Sequence, residues 1–207
     1  MNGDMKTACF KNVEVETPQN VYEPLEDSML LARLVEKHAT GRVLDLGCGS
    51  GLQAVIAAKL PQVKSVLAVD LNNDAVACSK KNAEKNGVSN KTKFKKSDLF
   101  SNVGKERFET IIFNPPYLPT TEDEQLQKEI NLAFDGGPDG RKAINKFLLE
   151  FDEFLAPKGV VLMVQSSLAD EQKTLDFLGK KGFKAQKMEE EKFFFEKIVS
   201  IKAEKQS

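Results

Sequence analysis

The residues with the most pointed chemistry are Asn114-Pro115-Pro116-Tyr117, which directly follow a short apolar run, TIIF, at 110–113. The two prolines hold φ at about −65° and remove two backbone donors, so the carbonyls of Asn114 and Pro115 can face a ligand without local competition. The Asn114 side-chain oxygen and one such carbonyl can each accept one hydrogen of an NH2 group. Held in this way, a planar nitrogen turns its lone pair toward an electrophile. An amide or aromatic amine is conjugated and weakly nucleophilic, so orientation and support for developing positive charge are what a protein can supply. Tyr117 is placed to pack on the plane of the target group. The plainer reading of the same four residues is a proline turn that closes a strand.

Three further signals follow other short apolar runs. After VLDL at 43–46 comes Asp45-Leu46-Gly47-Cys48-Gly49-Ser50-Gly51, whose alternate glycines let backbone amides approach a ligand or simply make a tight turn. The spacing GxGxG departs from the dinucleotide GxGxxG, and no GK[ST] follows, so pyrophosphate and triphosphate binding are disfavoured. Asp70 ends the run VLAV at 66–69, 19 residues beyond Gly51, where an acid can accept both hydroxyls of a ribose. Its competing role is a helix cap, which Asn73 or Asp74 already fills. Asp98, in Ser97-Asp98-Leu99-Phe100, can accept an adenine amino group while Leu99 covers the ring. Together these signals describe an adenosine-containing cofactor without phosphates.

Such positions need a frame that sets strand ends side by side. VLDL, VLAV, TIIF and VVLMV at 160–164 are short, apolar and rich in β-branched residues, the pattern of parallel strands covered on both faces. Helical segments separate them at 52–60, stopped by Pro61, at 74–85, ending at Asn86-Gly87, and at 141–155, before Pro157-Lys158-Gly159. An earlier helix at 27–38 follows Pro24, sets Met29, Leu30, Leu34 and Val35 on one face, and closes at Gly41. The charged segment 92–95 reads as a strand, and the lysines around it (Lys91, Lys93, Lys95, Lys96) can protect an unpaired edge. A helix at 171–180 and strands at 183–188 and 193–202 complete the chain, with Glu189-Glu190-Glu191-Lys192 as the tight link of an antiparallel hairpin. Phe193, Phe194 and Phe195 are then core and strand packing. The order predicts an α/β, Rossmann-like doubly wound sheet, whose ligands sit outside the carboxyl ends of the strands.

Composition removes several function classes. A chain of 207 residues is one generous domain. Thirty Lys+Arg against 31 Asp+Glu give a net charge of −1, which excludes holding nucleic acid by a whole-domain basic field. Cys9, Cys48 and Cys78 form no CxxC, and with His38 as the one histidine no zinc-ligand spacing can be assembled. No metal is expected. Cys48 reads as a small filler, His38 as a helix-end residue without chemistry, and Lys80, Lys81 and Lys85 as a solvated helix face. No apolar run is long enough to cross a membrane, and residues 1–10 lack the apolar stretch of a signal peptide, so a soluble, cytoplasmic protein is expected.

With these motifs in this order, the chain resembles the class I S-adenosylmethionine-dependent methyltransferases over essentially its whole length. The resemblance implies a seven-stranded sheet, mostly parallel with a C-terminal antiparallel hairpin, in a single domain at 1–207: a cofactor-covering segment and helix at 1–40, then a Rossmann-like core at 41–207. It implies Gly47 and Gly49 beside the methionine part of the cofactor, Asp45 under its amino group, Asp70 and Leu71 at the ribose, and Asp98 with Leu99 at the adenine. The NPPY tetrapeptide marks amino-methyltransferases, whose targets include adenine N6, cytosine N4 and the glutamine side-chain amide. Three features are similar to the HemK-type protein glutamine methyltransferases of the short archaeal and eukaryotic branch, which lacks the long N-terminal domain of the bacterial enzymes. They are Val21-Tyr22-Glu23-Pro24-Leu25-Glu26-Asp27-Ser28, in which Ser28 would approach the cofactor, the continuation Leu118-Pro119 after NPPY, and Asp135-Gly136-Gly137-Pro138-Asp139-Gly140-Arg141. Glu26 and Asp27 also suit the positive end of a helix, the glycine-rich loop also reads as a turn, and the polar stretch 120–129 reads as a mobile substrate-facing loop. The family implies methylation of the Gly-Gly-Gln glutamine of a class 1 release factor, with a small zinc-binding activator subunit as partner. Adenine N6 methylation of DNA or RNA and protein lysine methylation are the competing activities. The first needs a surface for a phosphate backbone and an extruded base; the second needs a base to deprotonate an ammonium.

Overall fold

The computed structural model describes residues 5–119 and 136–206. It begins with a hairpin, β1 (Lys6–Phe10) and β2 (Val13–Thr17), an element absent from the predicted set. Val13, Val15 and Thr17 are buried in alternation, and Lys11 takes a positive φ of 52° in the two-residue turn. There follow α1 (Glu26–His38), β3 (Gly41–Leu46), α2 (Leu52–Lys59), β4 (Val63–Asp70), α3 (Asn73–Lys85), β5 (Thr92–Lys96) and β6 (Phe108–Phe113). After the second described stretch begins come α4 (Lys142–Phe154), β7 (Leu155–Ser166), α5 (Glu171–Lys180), β8 (Phe183–Lys192) and β9 (Lys197–Lys205).

One seven-stranded sheet runs in the order β5-β4-β3-β6-β7-β9-β8. The first five strands are parallel, and β9 pairs antiparallel with both β7 and β8. The order reverses between β3 and β6, which places a crevice beyond their carboxyl ends. Period-two alternation feeds two cores from the same strands. Val43 and Ile112 face α1 and α2 with Leu30, Leu31 and Val55. Leu44, Leu46, Ile111 and Phe113 face the other way, onto Phe147 and Phe151 of α4. The second core is aromatic: Phe147 packs 4.7 Å from Phe113 and 5.1 Å from Phe151 between ring centres. Each such buried ring contributes about 1.5–3 kcal/mol, which fixes β6, and with it residues 114–117, against α4.

Three local expectations are corrected. The cap of α3 is Asn72, whose side chain accepts from the Asp74 amide at 2.8 Å, rather than Asn73 or Asp74. The predicted link at Glu189 to Lys192 is strand: Lys192 pairs with Lys197 and Glu189 with Ser200 after a bulge. An exposed edge strand tolerates this run of charge because its side chains stay in water. The turn therefore falls on Phe193-Phe194-Phe195-Glu196, closed by the Phe193 amide on the Glu196 carbonyl at 2.8 Å. The three phenylalanines are consequently not core, being 41%, 93% and 85% exposed.

The hairpin positions the segment that follows it. Asn82 of α3 acts as an extra strand partner, its Oδ1 accepting from the Glu16 amide at 3.0 Å and its Nδ2 donating to the Glu16 carbonyl at 2.9 Å. The same Nδ2 donates to the Ser50 carbonyl at 2.8 Å, so one side chain ties hairpin and glycine loop together. Asn72 Nδ2 then holds the Asn20 carbonyl at 3.0 Å, and the chain passes along the crevice into α1.

Candidate active site

The crevice is a cavity of about 570 Å³ at the carboxyl ends of β3, β4 and β6. That size lies in the ordinary range of small-molecule sites. Gly47, Gly49, Asp70, Leu71, Asp98, Leu99, Asn114, Pro115, Pro116 and Tyr117 all border it, so ten of the residues singled out in the sequence meet in one place. Ser28 and Asp45 are buried outside its lining. The N-terminal segment closes one side through Asn20, Val21, Tyr22, Leu25, Glu26 and Asp27.

Asp70 pins the glycine loop. Its Oδ2 accepts from the Gly49 amide and its Oδ1 from the Asn72 amide, each at 2.9 Å. Burial raises its carboxyl above the usual range against the pull of these backbone bonds. Cys48, in the same loop, lies buried 3.2 Å from Ser79 Oγ, and burial raises its thiol, leaving it inert as a nucleophile. Asp98 is more open and pairs with Lys146 of α4 at 2.6 Å.

Asp45 lies under the loop. It accepts from the Ala54 amide in the first turn of α2, while its Oδ2 is buried with no partner. Burial pushes this carboxyl up to about 8. The folded state thus holds the proton more tightly than the unfolded chain, whose aspartates titrate at about 4. The resulting stability is intact below pH of about 4 and lost as pH rises through about 8. Asp45→Asn removes the titration. Urea unfolding of wild type and variant without ligand should diverge by about 1.4 kcal/mol per pH unit across this window, with wild type falling. A pH-independent difference would mean that Asp45 is ionised in the fold.

The reacting end is organised by a residue that the motif reading treats only as part of an N-terminal signature and a helix-end acid. Asp27 accepts four hydrogen bonds. Its Oδ1 takes Tyr22 Oη at 2.8 Å and the Ser28 amide at 2.6 Å, and its Oδ2 takes Asn114 Nδ2 at 2.8 Å and Tyr117 Oη at 3.1 Å. A carboxylate only accepts, so Asn114 must turn its NH2 toward it. Asn114 Oδ1 is left buried without a partner. Burial and the Asp27 charge push both tyrosine hydroxyls far above their ordinary range, keeping them protonated donors. Spacing along the chain gives no hint of this hub, because Asp27 and Asn114 are 87 positions apart.

The glycine-rich loop closes over Tyr117 and Leu118 from behind. The Gly136 amide donates to the Leu118 carbonyl at 3.0 Å, and a Cβ on Gly140 would fall on the Tyr117 carbonyl oxygen. Glycine is required there by close approach as well as by its φ of 70°. Arg141 follows, buried, donating to the Ala169 and Asp170 carbonyls and to Thr174 Oγ1, which locks the loop to α5. Asp135 and the stretch 120–129 lie outside the described residues.

The model of a protein family described as the methyltransferase small domain matches residues 25–194. The chain belongs to this family. A putative protein N5-glutamine methyltransferase of Methanocaldococcus jannaschii is 40% identical, covering 94% of this chain and 96% of the relative. A release factor glutamine methyltransferase of Geobacter sulfurreducens is 35% identical over 86% of this chain, which spans 64% of that longer protein. Among solved structures, the E. cuniculi Mtq2-Trm112 complex, described as methylating the eRF1 termination factor, matches with a TM-score of 0.71 at 24% identity. The match covers 91% of this chain and all of the other; it supports the methyltransferase fold. In this methyltransferase, then, the strand-end acids and the NPPY turn border one crevice, and Asp27 couples the N-terminal segment to the turn.

Proposed function

We propose that this methyltransferase moves the methyl group of S-adenosylmethionine to the side-chain amide nitrogen of a protein glutamine, that of the Gly-Gly-Gln loop of a class 1 release factor. The observation that carries the reading is Asn114, whose Nδ2 is held by Asp27 while Oδ1 is buried with no partner beside the cavity. A buried, unpaired acceptor costs about 1–3 kcal/mol; Oδ1 is closed to water in this conformation, so a shift of the side chains around it must open it before an incoming NH2 relieves that cost. With one hydrogen on Asn114 Oδ1 and the other on a backbone carbonyl of the proline turn, the amide nitrogen is held with its lone pair directed into the crevice. The nitrogen can shed a proton to water after it has gained the methyl group, so no base is needed beforehand. Asp27 supports amide over ammonium as substrate: its four acceptor positions are occupied by Tyr22, Ser28, Asn114 and Tyr117. The names of the relatives support the same substrate class.

The cavity fits the cofactor. A Cβ at Gly49 would meet nothing within 4 Å, and one at Gly47 only the Asn114 carbonyl at 3.8 Å, so the glycine loop leaves an open cradle. Gly47 and Gly49 would border the methionine part, Asp70 and Leu71 the ribose, and Asp98 and Leu99 the adenine, with Asp45 beneath and Ser28 behind Asp27. When bound, S-adenosylmethionine supplies an electrophilic methyl group on a positively charged sulfur. With the Gly49, Asn72 and Leu71 amides on it, the Asp70 carboxylate keeps an acceptor site that can take a ribose hydroxyl. Asp70→Asn replaces one acceptor by a donor, and calorimetry should show cofactor affinity reduced by about 1.5–3 kcal/mol. Unchanged affinity would leave Asp70 as a loop pin alone.

The proposal includes a small zinc-binding activator subunit covering a sheet edge, and action in the cytoplasm. Strand β5 ends the sheet with one side unpaired, and the E. cuniculi neighbour is a two-protein complex. Among the described residues, no helix is long and apolar enough to cross a membrane. The test is methyl transfer from labelled S-adenosylmethionine to a class 1 release factor, its Gly-Gly-Gln glutamine variant, a DNA duplex and a lysine-rich protein, with and without the activator. Labelling of the wild-type release factor alone supports the reading. Labelling of DNA or of lysine overturns the substrate while keeping the enzyme class.

A further inference from the structure

A glutamine carried by a folded protein reaches Asn114 only when the surface around it rests on the rim of the cavity. Among the described residues, most of the large exposed apolar side chains lie on or beside that rim. Of eight large exposed hydrophobic residues among those described, Leu25, Leu71 and Phe193 border the cavity. Phe194 and Phe195 are the next residues of the β8–β9 turn, and Leu168 lies in the short helical turn after β7. Strand β9 runs antiparallel to β7 with Ser166 opposite Ile198, so this aromatic turn stands at the carboxyl end of β7. That is the rim on which Asn114 follows β6.

The turn is held from below. The Phe193 amide closes it on Glu196, Ser166 Oγ donates to the Glu196 carboxylate, and the Lys197 amide donates to Ser167 Oγ at 3.0 Å. Above this base, the rings of Phe194 and Phe195 meet edge to face at 4.6 Å and 83°, with 93% and 85% of their surfaces in water. Clustered exposed apolar surface marks an interaction site, and binding energy concentrates in aromatic anchors that become buried.

We propose that Phe194 and Phe195 dock the glutamine-bearing protein, packing on an apolar patch beside its methylated loop; this rests on the glutamine reading above. Continuity with the cavity decides the occupant. A second copy of this chain seated on the turn would cover the cavity mouth. An anionic membrane would need surplus positive charge, whereas Lys192 and Lys197 beside the turn pair with Glu190 at 3.6 and 3.7 Å.

The test is the double variant Phe194→Ser/Phe195→Ser, whose side chains contribute little to the core and do not line the cavity. With the release factor as substrate, KM should rise about tenfold or more, as for loss of an aromatic anchor pair, while kcat at saturation and cofactor affinity stay at wild-type values. An unchanged KM overturns the proposal. So does a wild-type dimer in sedimentation that the substitutions dissolve, or wild-type binding to phosphatidylserine vesicles that they abolish. Absence of glutamine methylation by the wild-type enzyme both with and without the activator subunit identifies failure of the glutamine reading itself, and the docking proposal falls with it.

Discussion

Asn114→Ala is expected to lower methyl transfer by about 10²–10³-fold while cofactor affinity stays within a few-fold of wild type. The magnitude is that for removing one preorganised polar group from a reacting centre. The separation of effects follows from position. On the proposed reading Asn114 is the acceptor at the proline turn after β6, while the acids follow β4 and β5, two and three strands away in the sheet. The variant also leaves Asp27 Oδ2 with Tyr117 as its one remaining side-chain donor, which should cost about 1 kcal/mol of stability. Asn114→Asp sharpens the test, because it keeps the shape but sets a second carboxylate against Asp27. Its turnover should also be lost. Single-turnover rates with calorimetric cofactor binding measure the separation. Retained turnover in Asn114→Ala removes the amide clamp as the source of catalysis.

The parts of the fold that were legible in advance are those governed by local chemistry. VLDL, VLAV, TIIF and VVLMV are strands because β-branched apolar runs are stable where both faces are covered, and each is central in the sheet. Helix ends precede Pro61, Asn86-Gly87 and Pro157 by one to three residues. The strand-end acids and the NPPY turn gather in one crevice because a parallel sheet puts all its carboxyl ends on one side. Misread features depend on pairing between distant segments. The hairpin β1–β2 is stabilised by Asn82 and Asn86, which lie far along the chain in and just after α3. The charged run Glu189-Glu190-Glu191 is strand because β9 supplies its backbone partners. That extra pairing moves the turn onto three phenylalanines and carries them out of the core. Hydrophobicity alone assigns Phe194 to the interior; only the register shows it in water.

The active-site counterpart of that lesson is Asp27, and Asp27→Asn is expected to reduce kcat by about 10²-fold with little change in cofactor affinity. As a carboxylate, Asp27 satisfies donors on both oxygens: Tyr22 and Ser28 on one, Asn114 and Tyr117 on the other. An asparagine can accept on one atom only. Its NH2 must face either the first pair of donors or the second, and each buried donor left unpaired costs about 1–3 kcal/mol. If the NH2 faces Asn114, the amide of Asn114 gains by flipping and presents its own NH2 to the cavity where an acceptor is needed. Catalysis is then lost through Asn114 rather than through Asp27 itself. A double-mutant cycle distinguishes this from general loosening of the site. If Asp27 acts by orienting Asn114, Asp27→Asn combined with Asn114→Ala should turn over no more slowly than Asn114→Ala alone. Additive losses would give Asp27 a role independent of the amide it holds. Tyr117→Phe removes one donor from the same oxygen but leaves the Asn114 bond in place, so it should retain most of the turnover that Asp27→Asn loses. On the proposed mechanism the four hydrogen bonds therefore rank unequally: the bond from Asn114 would set which atom meets the substrate, and the other three would hold the carboxylate in position to receive it.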